Sequence, residues 1–288
     1  MQNEKCKLQN ALQTADRVDH WPDQARGWRY IGPPLRPVAE DIACCTEIAQ
    51  AWTREHGAPR VLLLGVTPEL YRLPWPPGTD FLAADHTQAM IDLVWPGPKE
   101  AVLRAEWQEL ALPAASRDIV LCDGGLHLLP YPSAQRQLVE RLRDIVADGG
   151  LCIFRLFVPP ARPEGTEAVL ADLLAGRIAN QNILKLRLGM SLWRNAMEGV
   201  ELAKVWQAFH GAVPDPEALA PRIGWAPECL HAIDTYRDTA NRYHFVTVTA
   251  AAEMFSVERY ELQQIYTPSY ALGDRCPTVV FRRRKDAP

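Results

Sequence analysis

The chain predicts an α/β protein: a mostly parallel, seven-stranded sheet with helices on both faces and an inserted helical lobe. Three observations carry this. Short apolar runs alternate with amphipathic stretches of helical period through the first half. The first run, RVLLLG at 60–65, stops at a glycine and restarts as a helix, and two strand-like runs stand together at the C-terminus after a long helical stretch. Continuous apolar strands separated by helices require a sheet buried on both faces, because each crossover lays a helix on one face or the other.

The elements follow in order. VAEDIACCTEIAQAWTREH, from Val38 to His56, places apolar residues on one helical face, with acids early and bases late as the helix dipole prefers. A strand follows at 60–64, a second at 80–84 (DFLAA), a helix at 87–95 (TQAMIDLVW), a short strand at 100–104 and a fourth at 117–123 (RDIVLCD). SAQRQLVERLRDIVADGG reads as a helix ended by glycine and LCIFRLF, 151–157, as the fifth strand. From Pro159 to Asn241 strand runs vanish and helical periods dominate. RYELQQIY (259–266) and PTVVFRRR (277–284) then suit an antiparallel pair closing one edge. The chain thus divides into an N-terminal wrap or lid (1–37), a cofactor-binding core (38–158), a helical substrate-binding insertion (159–242) and returning strands (243–288).

Composition excludes several classes. The 288 residues are 48% hydrophobic, enough for a large core, and a net charge of −4 gives no field to hold a polyanion. The one dense basic run, Arg282 to Lys285, reads as a solvated strand end. MQNEKCKLQNALQTADR carries no apolar signal core, and no apolar run approaches the ~20 residues that span a bilayer. The expectation is a cytoplasmic protein without nucleic-acid or membrane partners; a homodimer stays open. Seven cysteines show no CxxC pair and no zinc spacing, which predicts reduced structural thiols and no metal.

In an open parallel sheet the ligand sits beyond the carboxyl ends of the strands, so a cofactor should touch Gly65, Val66 and Thr67. Thr67 can cap the next helix, Pro68 suits its first turn and Glu69 its positive end. A dinucleotide would lay its pyrophosphate there, where Glu69 repels it and side chains replace the glycines that let backbone approach. S-adenosyl-L-methionine has no phosphate, and its ammonium tolerates an acid. Asp85, twenty residues after Gly65, suits a carboxylate accepting both ribose hydroxyls.

With Asp85, Thr87 and Met90, the stretch ADHTQAM resembles the D-x-S-x-x-M segment of class I S-adenosylmethionine-dependent methyltransferases. RAEWQELALPAASRDIVLCDGGLHLL resembles their G-D-A/W-x-x-L-P segment and fourth strand, and ADGGLCIFRLF their turn into strand five. The resemblance covers about 38–157 and the C-terminal pair, with Leu63, Thr67 and Glu69 departing from the family's first motif. It implies a Rossmann-like fold, a ribose held by Asp85 with His86 beside it, and adenine against Met90, Glu106 and Trp107. Asp123, Gly124 and Gly125 would then lie near the transferred methyl, and a small-molecule methyl acceptor would be methylated on oxygen, nitrogen or carbon.

Methyl transfer requires an acceptor held in line, with water excluded. His127 in DGGLHLLP is the first candidate base, against a structural histidine in the following turn; His244, with Tyr243, is the second, against a packed aromatic hinge. WPDQARGWRYIGPPLRP, holding Trp21, Trp28, Tyr30 and Arg36, reads as non-helical, either a strut or a lid whose aromatic faces stabilise a cation and whose Arg36 meets a carboxylate. Tyr30 is the catalytic candidate it contributes. Trp193, Trp206, Phe209 and Tyr236 belong to the lobe, core first, with some lining the acceptor pocket. Two alternatives stand beside the enzyme: a catalytically idle S-adenosylmethionine-binding subunit, and an NAD(P)-dependent oxidoreductase, which Thr67 and Glu69 disfavour.

Overall fold

The computed structural model describes residues 19–285. The N-terminal stretch read for a signal core, with Cys6, lies outside the described residues.

Strands β1 (Arg60–Leu64), β2 (Asp80–Asp85), β3 (Val102–Arg104), β4 (Arg117–Asp123) and β5 (Val146–Arg155) are mutually parallel where they pair. A two-stranded antiparallel ribbon, β6 (Val200–Glu201) with β7 (Arg242–Tyr243), stands apart, and β8 (Tyr260–Tyr266) and β9 (Thr278–Arg283) complete the main sheet. The order is β3-β2-β1-β4-β5-β9-β8, with β9 antiparallel to β5. Strand order reverses between β1 and β4, so their carboxyl ends open the crevice where such sheets bind ligands.

The apolar runs are continuous because each strand feeds two cores. Leu62, Leu64, Val120, Cys122, Cys152 and Phe154 pack on one face, while their neighbours Val61, Leu63, Ile119, Leu121, Leu151 and Ile153 pack on the other. Helices α1 (Trp21–Arg26), α2 (Ala39–His56), α3 (Pro68–Tyr71) and α4 (Gln88–Leu93) precede α5 (Ser133–Ile145). The lobe contains α6 (Thr166–Leu174), α7 (Gln181–Ser191), α8 (Leu202–Ala212), α9 (Pro216–Arg222) and α10 (Pro227–His231) around its own core, and α11 (Val248–Val257) returns to the sheet.

Five expectations change. The segment read as non-helical holds α1, because Pro22 occupies the first turn, where its missing N–H costs nothing. The helix after β4 ends at Ile145 rather than at the glycines, and β5 begins immediately, with a register shift opposite Arg117 and Ile119 that absorbs the extra residues. The lobe is not strand-free: β6, in its middle, pairs with β7 at its C-terminal end. Helix α11, absent from the reading, interrupts the return to strands; Thr247 caps it through Ala250 N–H at 3.1 Å. The basic run is also not wholly solvated, since Arg283 is buried beside Asp148.

Candidate functional site

A cavity of about 830 Å3, part of it open to solvent, lies where β1 and β4 diverge. Gly65 leaves β1 at φ +91°, a conformation that favours glycine, and its N–H donates to Ala84 O at 2.8 Å. The same carbonyl accepts Trp107 Nε1–H at 2.7 Å, which fixes the indole beside the β1 exit. A side chain at Gly125 would meet Cys122 Sγ at 2.6 Å and Trp107 at 2.9 Å, and one at Gly124 (φ +59°) would meet Phe157 at 2.8 Å. The β4 exit is therefore backbone pressed against rings, leaving the space above to the cavity.

Asp85, at the tip of β2, is 7% exposed and borders the cavity. Its Oδ1 accepts Thr87 N–H at 2.8 Å, and no hydrogen bond from the described residues reaches Oδ2. Burial raises its pKa to about 6, opposed by the Thr87 N–H and by His86. A buried carboxylate with one uncommitted oxygen facing a cavity is a binding group awaiting donors.

Gly65, Val66, Thr67, Asp85, His86, Met90, Trp107, Asp123, Gly124, Gly125 and His127 all border this one space. Three other candidates lie outside it. Glu106 is exposed, because the bend that turns Trp107 inward sends its neighbour to water. Tyr30 sits in a 3-10 turn with its hydroxyl taken by Arg29 at 2.8 Å and its carbonyl by Gln181 and Asn182. His244 engages Ala196 O through Nδ1 at 2.8 Å and packs on Gly199, and its N–H donates to His127 O at 2.6 Å. It supports the His127 turn from behind.

Two first-motif expectations also change. Thr67 makes no side-chain cap, and α3 is only four residues long, too short to present a useful dipole. Glu69 does not face the cofactor turn: it takes Arg36 Nε–H at 2.8 Å and a second bond from Nη2. Arg36 thus meets a carboxylate of the protein itself, with its guanidinium over the Trp28 ring at 5.2 Å. The N-terminal segment lies across the cavity and contributes Trp21, Gln24, Trp28, Ile31 and Leu35 to it.

Buried Arg155 ties the site together. It donates through Nε to Asp123, through Nη1 to Pro34 O at 2.8 Å, and lies 3.9 Å from Asp41 Oδ2. Burial pushes the Asp123 carboxyl up, against the pull of Arg155.

His127 is buried, stacked on Phe245 (5.1 Å, 10°) and edge-on to Tyr243 (4.6 Å, 86°), and its Nδ1 has no hydrogen-bond partner. Burial, then His244, lowers its pKa to about 3, so it is neutral near pH 7 and a weak base. Phe157, Leu128 and Gln24 border the cavity without having been singled out; Phe157 was legible only as the end of the fifth apolar run. Tyr236 enters from the lobe as expected, while Trp193, Trp206 and Phe209 stay in or against the lobe core.

Strand order, the antiparallel last pair and the crevice at the β1/β4 switch define the class: this is the class I S-adenosylmethionine-dependent methyltransferase fold. Among solved structures the chain is similar to the CcbJ methyltransferase of Streptomyces caelestis, at 15% identity and TM-score 0.53 over 93% of this chain and 100% of that one. It is also similar to the N-methyltransferase NodS of Bradyrhizobium japonicum in complex with S-adenosyl-L-homocysteine (11%, TM-score 0.50, 93% and 100%). A Rhodobacter sphaeroides chain named as a candidate zinc-dependent alcohol dehydrogenase aligns equally well (15%, TM-score 0.53, 91% and 98%). At these identities the likeness shows the fold alone. No family model matches the sequence, and no curated protein matches it. Among the described residues no cluster of three His, Cys, Asp or Glu could hold a metal ion, and no helix is long and apolar enough to cross a membrane.

Proposed function

We propose that the chain is an S-adenosyl-L-methionine-dependent methyltransferase acting on a small organic molecule. The observation that carries this is Asp85: a buried carboxylate with a free oxygen turned to the cavity, set beside a β1 exit that offers no phosphate cradle. A ribose diol supplies two donors to such a group. The residues fit the cofactor. Asp85 would hold the ribose, Met90 and Trp107 would wall the adenine, and the glycine turns at 65 and 124–125 would admit the methionine end closely. When bound, the group supplies an electrophilic methyl on a positively charged sulfur.

The chain's own residues do the rest. The segment 19–37, fixed by Arg36–Glu69 and by Arg155 on Pro34 O, covers one side of the space and would keep water from it once cofactor and acceptor are bound. His127, Phe157, Tyr236 and Tyr243 form the wall beyond the β4 exit, where an acceptor would be oriented. Calorimetry with S-adenosylmethionine, S-adenosylhomocysteine and NADH tests the reading. Binding of the first two is expected, and binding of NADH alone would replace it with the oxidoreductase reading.

A further inference from the structure

The wall that remains once the adenosyl group is assigned to Asp85, Met90 and Trp107 has an unusual composition. It holds Trp21, Trp28, Phe157, Tyr236, Tyr243 and His127, and among the described residues no lysine or arginine borders the cavity. The acids that do, Asp85 and Asp123, stand at the tips of β2 and β4, and Asp123 is engaged by Arg155.

Among the described residues, the wall beyond the β4 exit also offers no base set to remove a proton before transfer, and Asp85 is committed to the ribose on this reading. A catalytic histidine acting as a base is ordinarily oriented by a carboxylate or carbonyl on its second nitrogen, which stabilises the imidazolium. His127 Nδ1 has no partner, and the rings packed on it, Phe157, Tyr243 and Phe245, offer none. The Tyr243 hydroxyl meets that of Tyr236 at 3.5 Å and His20 Nε2 at 3.4 Å, and burial raises both phenols. His20 is itself discharged by burial, to about 4. His86, half-exposed beside Asp85, stands at the β2 tip.

Resting on the methyltransferase reading, we propose that the acceptor is an uncharged planar aromatic compound methylated on a nitrogen whose lone pair is free before transfer. The site with cofactor already carries one positive charge on sulfur, so a cationic amine is repelled, and an alcohol or phenol finds no base. The nitrogen lone pair forms the new bond to the methyl carbon. The carbon–sulfur electron pair stays on sulfur, which becomes a neutral thioether, and the positive charge passes to nitrogen among the aromatic faces. There the ring quadrupoles stabilise it as it develops. A nitrogen that bore hydrogen gives its proton to water after release.

The full chain is titrated with S-adenosylhomocysteine by calorimetry. Isoquinoline, aniline, 2-naphthol and benzylamine are then each tested for quenching of tryptophan fluorescence in that complex and, with S-adenosylmethionine, for labelled-methyl transfer. Isoquinoline and aniline are expected to quench and to accept methyl about 100-fold or more faster than 2-naphthol, the range a missing general base costs. Benzylamine is expected neither to quench nor to react. At saturating cofactor the rate on isoquinoline should stay flat from about pH 7 to about pH 9.5, because no base titrates. Preferred transfer to 2-naphthol or benzylamine, no transfer to either nitrogen probe, or a rate rising with pH overturns the acceptor assignment. In those cases bound S-adenosylhomocysteine leaves the cofactor reading standing; absent binding removes both.

Discussion

On the proposed reading, Asp85 opposes stability to cofactor binding within one side chain. Its pKa is raised from 3.8 to about 6, so the folded, ligand-free protein holds a proton that the unfolded chain releases. Stability linked to this group is full below about pH 4 and is lost as pH rises through about 6. Asp85→Asn should therefore stabilise the ligand-free protein at pH 7.5 by on the order of 3 kcal/mol, a gain that vanishes toward pH 4 in thermal melts. The same variant should weaken S-adenosylhomocysteine by about 2 kcal/mol in calorimetry, and Asp85→Ala should do the same, through the lost charge-assisted bonds. Wild-type affinity should also fall as the pH drops below about 6, since the protonated acid no longer accepts two bonds. His127 is the contrasting residue: its position was legible from DGGLHLLP, but its weakness as a base was not. That weakness comes from Phe157, Tyr243 and Phe245, which no sequence spacing brings to mind.

Element by element, the exits of β1 and β4 were the most readable features. A glycine ending an apolar run announces a backbone bend, and Gly65, Gly124 and Gly125 all lie at the cavity. Gly125→Ala should displace Trp107 and weaken cofactor binding by about 1–3 kcal/mol, read by calorimetry and indole fluorescence, because its new methyl meets Cys122 and Trp107 below 3.0 Å. The N-terminal segment was ambiguous between lid and strut, and α1 within it was missed, because Pro22 and Gly27 read as breakers when they in fact bound a helix. The Arg36–Glu69 pair gives the segment a measurable role. Glu69→Gln removes its charge at a half-buried site, so a loss of about 1 kcal/mol is expected, appearing as faster release of S-adenosylhomocysteine in stopped flow. Unchanged release would make the segment a strut.

On the scale of the whole molecule, one arginine joins parts far apart in sequence. Arg155 at the end of β5 holds Asp123 from β4, Asp41 from α2, Pro34 from the N-terminal segment and the Tyr270 hydroxyl at 3.4 Å. Arg155→Met should cost about 3–5 kcal/mol in chemical denaturation, because two buried acids lose their counter-charge. The loss should shrink toward acid pH, where Asp123, whose carboxyl burial already pushes up, takes a proton and no longer needs the counter-charge.

The sequence by itself determined the mostly parallel sheet, the antiparallel closing pair and the placing of Gly65 and Asp85 at strand ends, because these depend on local period, on glycine at strand ends and on an acid at a fixed distance along the chain. Only the tertiary structure decided the strand order and which side chains wall the cavity. Trp21, Phe157, Tyr236 and Tyr243 come from four separate stretches, and Glu69 and Arg36 find each other across 33 positions. Such encounters depend on where folded surfaces meet, and the short-range patterns that specify helices and strands carry no record of them.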